Sequence, residues 1–403
     1  MFTLENTYEE IINTEPLGRA LCNFFPACWR ERIPAQHTGY TMGHIMEEDT
    51  MDWGVPFLSE AFLECANLLM DIAENNRFCF IPLWSSQEPS CPSPSGMARD
   101  ASFSRPHWKN GIPDADVNDE GCVWLLTGNP SVDNFAFAHT AGAGSVPPYE
   151  SHAIPEEKRN QTGKRPAVII CPGGGYEMLS TYSEGIQLAQ RMERDGGYKA
   201  FVLNYRIAPN AYPLPQMDLA LAIMHVRAHA GEYGIEPDQV LIIGSSAGGH
   251  LCASEACLYE ELKKHVTDRL TNIGASSSVS SVYQNISARP DGIGLLYPVI
   301  SFLSDYHEGS YLNLTNNKDG LRELLSVEQH ITPDYPPTYA FTNADDGCVP
   351  PNNTARLKQA LEKAGVMHLC STYPTGDHGV GLGYDLSCNG WSEEMLKFFG
   401  QLW

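Results

Sequence analysis

Ser246 stands in Gly244-Ser245-Ser246-Ala247-Gly248, a G-x-S-x-G pattern with an apolar run before it and a helical pattern after it. That context suits nucleophilic catalysis by a serine hydroxyl lifted out of a sheet on a sharp strand-to-helix turn. The small residues two positions to either side let such a turn close without a clash. A helix beginning at Ala247 also aims its first amide N–H groups at an oxygen beside the serine. The hydroxyl needs a base, and the base needs an orienting acid. Asp346, in Asp345-Asp346-Gly347-Cys348-Val349-Pro350, and His378, in Gly376-Asp377-His378-Gly379, follow in the chain order serine, acid, histidine. His378 would take the serine proton and hand it to a leaving group, while the aspartate fixes its tautomer. On spacing alone, Asp345 and Asp377 compete with Asp346 for the acid role.

A second cluster is Cys171-Pro172-Gly173-Gly174-Gly175-Tyr176, directly after the apolar run AVIIC at 167–171. Glycines there let backbone amides approach a substrate oxygen, which is what an oxyanion hole requires. The run lacks both the Lys-Ser/Thr of a phosphate-binding P-loop and G-x-G-x-x-G spacing, so a phosphate site is disfavoured. Tyr176, Tyr182 and Tyr205 fall where loops would meet the site. They offer aromatic platforms for a sugar or phenolic group, or simple packing. His225 and His229 share a helix face at metal-ligand spacing, but no glutamate lies between them and no third ligand follows, so no metal is expected. His250 reads as packing, and Glu184 as a helix-starting acid.

These residues need elements to hold them. From about residue 122 onward the chain alternates strand and helix. Strands are expected at 167–171, 199–205, 239–244, 293–297, 338–342 and 368–373, with an opening antiparallel pair at 122–127 and 135–138. Helices fall at 183–194, 215–230, 247 to about 259, 353–364 and 391–402. Near-continuous apolar strands between helices imply α/β architecture, a mostly parallel sheet covered on both faces. The site then belongs at the carboxyl ends of the strands. Residues 301–336 are too long for a plain connection and read as a lid. Residues 1–115 form a front segment apart from the catalytic unit at 116–403. They hold an amphipathic, partly helical stretch at 56–74 (Leu58, Phe62, Cys65, Leu69, Ile72), a short strand at 78–83 and a Ser/Pro-rich loop at 85–106. Packing on the catalytic unit, lining the substrate rim and mediating a homo-oligomer are the roles open to this segment, and the first is preferred.

Composition sets the outer bounds. The 403 residues carry 26 Lys and Arg against 49 Asp and Glu, a net charge of −23. Such a surface repels phosphate backbones and anionic lipid, which excludes nucleic-acid and peripheral membrane partners. A hydrophobic content of 42% excludes a disordered chain. No apolar run reaches the length of a membrane helix, and the acidic start is not a secretory signal. The 12 cysteines are scattered without C-x-x-C pairs, which reads as reduced thiols in a cytoplasmic protein.

From about residue 165 onward the sequence resembles the α/β-hydrolase esterases, in particular the BD-FAE-like feruloyl and acetyl-xylan esterases of the prolyl-oligopeptidase-like group. The resemblance rests on CPGGGY at 171–176, LNYRIAP at 203–209, IEPDQVLIIGSSAGGHLC at 235–252, PPTYAFTNADDGCVP at 336–350 and GDHG at 376–379. It implies Ser246 as nucleophile, Asp346 as the acid ahead of x-x-V-P, and His378 as base. The amides of Gly174 or Gly175 and of Ala247 would form the oxyanion hole. It further implies a cofactor-free serine carboxylesterase taking small acyl esters, acetyl first and feruloyl second, of plant-type oligosaccharides. A prolyl-oligopeptidase-type peptidase is disfavoured because the front segment is too short for a β-propeller. A non-catalytic binding protein is disfavoured because no triad member is missing.

Overall fold

The computed structural model describes residues 1–14, 37–47, 62–63, 66–68, 70, 78–84, 108–109, 112–113, 123–130, 136–139, 163–273, 282–318 and 320–403. Eight strands form one sheet: β1 (Phe78–Pro82), β2 (Trp124–Gly128), β3 (Arg165–Cys171), β4 (Lys199–Asn204), β5 (Ile235–Ser245), β6 (Gly292–Leu296), β7 (Thr338–Asn343) and β8 (His368–Tyr373). Their spatial order is β1-β2-β4-β3-β5-β6-β7-β8. β2 runs antiparallel to both β1 and β4, and the pairs from β4 to β8 are parallel.

Side-chain alternation explains the continuous apolar strands. Ile169, Ile242 and Leu295 face one apolar cluster, while Val168, Ile170, Leu241 and Ile243 face the other. Helices α4 (Leu214–Ala228) and α5 (Ser246–Asn272) cover the first face through residues such as Ile223 and Leu251. Helices α3 (Gln187–Gly196) and α7 (Trp391–Phe399) cover the second through Met192 and Met395. The front helices α1 (Tyr8–Asn13) and α2 (Met42–Glu47) join this second cluster with Tyr8, Ile11, Met42 and Ile45. Among the described residues no helix is long and apolar enough to cross a membrane.

Three expectations need correction. The antiparallel partner of β2 is not 135–138: Ala136–His139 is helical, and the partner is Phe78–Pro82. The sheet therefore takes its edge strand from upstream of residue 115, so that boundary separates two paired strands. The helix that starts at Ser246 does not stop near residue 259 but runs 27 residues to Asn272. Finally, reduced thiols hold for Cys171, Cys252, Cys257, Cys348, Cys370 and Cys388, but Cys79 in β1 is disulfide-bonded. Of the 56–74 stretch, residues 62–63, 66–68 and 70 are helical, with Phe62 and Leu63 buried; Leu58, Cys65, Leu69, Ile72 and the 85–106 loop lie outside the described residues.

Candidate active site

β5 ends at Ser245 and α5 begins at Ser246 with no residue between them. A change of direction that abrupt forces Ser246 to φ 53°, a left-handed conformation that costs a non-glycine residue roughly 1–3 kcal/mol. The crossing is closed by glycine on both sides: a Cβ at Gly244 would run into the Gly248 carbonyl, and one at Gly248 into the carbonyl of Cys171 on β3.

The loops after β7 and β8 bring Asp346 and His378 to this turn. The Ser246 hydroxyl lies 2.8 Å from His378 Nε2, and His378 Nδ1 lies 2.8 Å from Asp346 Oδ2. A carboxylate only accepts, so Nδ1 carries the proton and Nε2 is left to accept from the serine O–H. The other oxygen of Asp346, Oδ1, accepts the N–H groups of Cys348 and Val349 at 2.9 and 2.8 Å. Its side chain is fully covered, whereas the His378 ring is 16% exposed. The competing aspartates are occupied elsewhere: Asp345 accepts the backbone N–H groups of Gly376 and Asp377, and Asp377 that of Gly347.

The glycine loop after β3 passes directly over Ser246. A Cβ on Gly173 would lie 2.9 Å from Ser246 Cβ. Gly174 and Gly175 adopt φ +132° and +65°, and the Gly174 carbonyl accepts the N–H groups of Glu177 and Met178, which tightens the turn. Helix α6 (Glu308–Thr315) docks on this loop, where Asn313 Nδ2 donates to the Gly175 carbonyl at 2.9 Å. His307 caps that helix. Its Nδ1 accepts the Ser310 N–H, so its Nε2 carries the proton, and its Cε1 lies 3.6 Å from where a Gly175 Cβ would stand. Partial burial, with the nearby His378, lowers the His307 pKa and favours the neutral ring.

The three tyrosines are not platforms. Tyr176 and Tyr205 are 0% and 1% exposed, and their hydroxyls are used inside the core, one against His250 Nδ1 at 2.8 Å and the other donating to the Pro172 carbonyl at 2.6 Å. Tyr182 is buried in the second apolar cluster. His250 is packing, as expected: its Nε2 donates to the Leu325 carbonyl, and burial lowers its pKa to about 4. His225 bonds the Tyr283 and Tyr233 hydroxyls.

Glu184 stands in the first turn of its helix, as expected, but it is buried there and carries hydrogen bonds that this reading does not include. It is buried in a π-helical turn (Tyr182–Ile186), where one oxygen accepts the Gly173 N–H at 2.8 Å and the other the Tyr297 O–H at 2.7 Å. Glu184, Tyr297 and His307 escaped the sequence reading. A carboxylate eleven residues after Gly173, between Ser183 and Gly185, carries no local signal of burial.

The strand order and the serine turn define an α/β-hydrolase. Within that class the chain belongs to the BD-FAE family, whose model matches residues 155–361, just over half of its length. It is 32% identical over 232 residues to an acetylxylan esterase of Xylanibacter ruminicola, covering 56% of this chain and 42% of that protein. It is 30% identical over 239 residues to an endo-1,4-beta-xylanase B of Butyrivibrio fibrisolvens, covering 58% and 35%. The chain therefore spans less than half the length of these curated relatives. Among solved structures, an acetyl ester-xyloside bifunctional hydrolase from Caldicellulosiruptor lactoaceticus superposes with a TM-score of 0.52 at 32% identity, covering 59% of this chain and 84% of that one.

Proposed function

We propose that this chain is a serine carboxylesterase that removes small acyl groups, acetyl above all, from acylated oligosaccharides of the xylan type. The observation that carries the reading is the unbroken relay from Ser246 through His378 to Asp346, with 2.8 Å at each step. Ser246 Oγ attacks the ester carbonyl and its proton passes to His378 Nε2. The amides of Gly174 or Gly175 and of Ala247 receive the oxyanion, each donor contributing roughly 10²–10³ in rate. His378 then protonates the leaving alcohol, and a water molecule, activated by the same nitrogen, releases the acid from the acyl-enzyme.

The names of the relatives supply the substrate class, acetyl esters on xylan-type sugars. Residues 301–336 shape the alcohol side of the pocket, with the His307 Nε2–H as a fixed donor beside the Gly175 loop. The front segment packs on the catalytic unit and completes its sheet, consistent with its shared apolar cluster. A disulfide at Cys79 favours an oxidising compartment over the cytoplasm.

The test is a fluorophosphonate probe and p-nitrophenyl acetate, applied to the natural chain and to Ser246→Ala. The natural chain should label and hydrolyse, and the variant should do neither while keeping its circular-dichroism spectrum. Undiminished hydrolysis by the variant would overturn the mechanism.

A further inference from the structure

We infer that Glu184 and Tyr297 are positioning residues that hold the oxyanion loop against Ser246 and tie it to the loop carrying His378. The inference rests on the esterase reading and deepens it. Two segments meet on one buried carboxylate, and a third joins them through the Tyr297 hydroxyl. The Gly173 N–H, at the root of the oxyanion loop, donates to Glu184 Oε2 at 2.8 Å, and the Tyr297 hydroxyl, just beyond β6, donates to Oε1 at 2.7 Å. That hydroxyl in turn accepts the N–H of Gly381, three residues past His378, at 3.0 Å. The Tyr297 ring also packs edge-on against the His378 imidazole, with centroids 4.9 Å apart at 66°.

A carboxylate in such a place is costly unless its oxygens are satisfied. Here each oxygen has a donor, one from the glycine loop itself and one from Tyr297 at the end of β6, whose hydroxyl is held in turn by the loop that carries His378. Burial pushes the Glu184 carboxyl upward, while the Tyr297 hydrogen bond and the field of His378 pull it back. The clearance is small: a Cβ built on Gly173 would stand 2.7 Å from Glu184 Oε2 and 2.9 Å from Ser246 Cβ. Gly174 and Gly175 follow Gly173 directly, so releasing its N–H moves the oxyanion donors themselves. Oxyanion stabilisation depends on donors already in place when the charge develops. Glu184 bonds the root of the loop and the tyrosine, so it acts through them.

The experiment compares Glu184→Ala, Glu184→Gln and Tyr297→Phe with the natural chain on p-nitrophenyl acetate. It also measures the affinity of an aryl trifluoromethyl ketone, which adds to Ser246 as a tetrahedral oxyanion. Loss of loop position should lower kcat by roughly 10–10²-fold, with KM within about twofold, and weaken the ketone by a similar factor. Glu184→Gln should retain more than Glu184→Ala, because its amide oxygen still accepts from Gly173. A merely structural role would lower Tm and leave kcat and ketone affinity within twofold of the natural values, and that result overturns the inference. If Glu184→Ala does not fold, Tyr297→Phe, which removes a single hydroxyl, decides by the same criteria. Activity in the natural chain, none in Ser246→Ala and unaltered positioning variants would sink this inference alone. An inert natural chain would sink the esterase reading with it.

Discussion

The carboxylate of Asp345 accepts the backbone N–H of Asp377 at 2.9 Å, while Asp377 reaches back to the N–H of Gly347 at 3.0 Å. The two aspartates that flank Asp346 and His378 thus clasp their loops together, and the Asp377 N–H holds the exposed Asp345 carboxyl below the usual carboxylate range. Asp346→Asn should lower kcat on p-nitrophenyl acetate by about 10⁴, because the amide no longer fixes the His378 tautomer. Asp345→Asn keeps acceptor capacity and should stay within about tenfold. Comparable losses in both variants would mean the acid has been misassigned.

The residues of this site were legible to different degrees. Ser246, Asp346 and His378 sit at ends of strands whose apolar runs stand out in the sequence, so local pattern places them. Asp346 and Asp345 differ only in where their side chains point, and a one-residue difference in direction is invisible to spacing. Tyr176 and Tyr205 lie on the expected loops, but their rings turn into the core, because Tyr176 meets His250 and Tyr205 meets the Pro172 carbonyl. Glu184 is legible as a helix-starting acid but its burial is not, because its partners, Gly173 and Tyr297, lie 11 and 113 residues away. β1 was found as a strand, but not its pairing with β2. Short apolar runs do not name their neighbours, and 136–139, also apolar, closed into a helical turn instead.

His250 makes stability depend on pH in a defined window. Its folded pKa is about 4 against an ordinary 6.5, so the unfolded state binds the extra proton between those values. Its contribution is therefore complete above about pH 6.5 and is lost as pH falls toward 4. Glu184, Asp218 and Asp291, raised by burial, act with the opposite sign, so the comparison is made against a variant. His250→Gln should flatten the slope of unfolding free energy against pH by up to about one proton in that window. Urea titrations between pH 4.5 and 6.5 read this out, and an unchanged slope refutes it.

Arg206 and Asp218 form an ion pair with side chains 1% and 0% exposed. Asp218 also accepts the Arg206 backbone N–H at 2.8 Å and the indole N–H of Trp84 at 2.7 Å. Asp218→Ala would remove the buried carboxylate that the Arg206 guanidinium, the Arg206 backbone N–H and the Trp84 indole share, at a cost of about 3–5 kcal/mol in urea unfolding. Trp84→Phe, which removes one donor, should cost about 1–3 kcal/mol. A near-neutral Asp218→Ala would show that water reaches Arg206.

His307 provides the remaining comparison. If its Nε2–H meets the sugar, His307→Ala should lower kcat/KM on acetylated xylo-oligosaccharides by roughly tenfold, about one charge-free hydrogen bond, and leave p-nitrophenyl acetate nearly unchanged. Equal losses on both substrates would place the histidine against the acyl group or the loop instead.

β1 pairs with β2 along all five of its residues, from Phe78 opposite Gly128 to Pro82 opposite Trp124. Take those five residues away and β2 becomes the rim of the sheet, presenting a row of bare amides and carbonyls flanked by Leu125 and Leu126. A rim of that kind templates the addition of strands from other molecules. A chain trimmed at residue 115 exchanges the rim formed by β1 for that of β2 and loses the upstream part of the second apolar cluster, so it should aggregate more readily than the full chain even with Ser246, Asp346 and His378 in place.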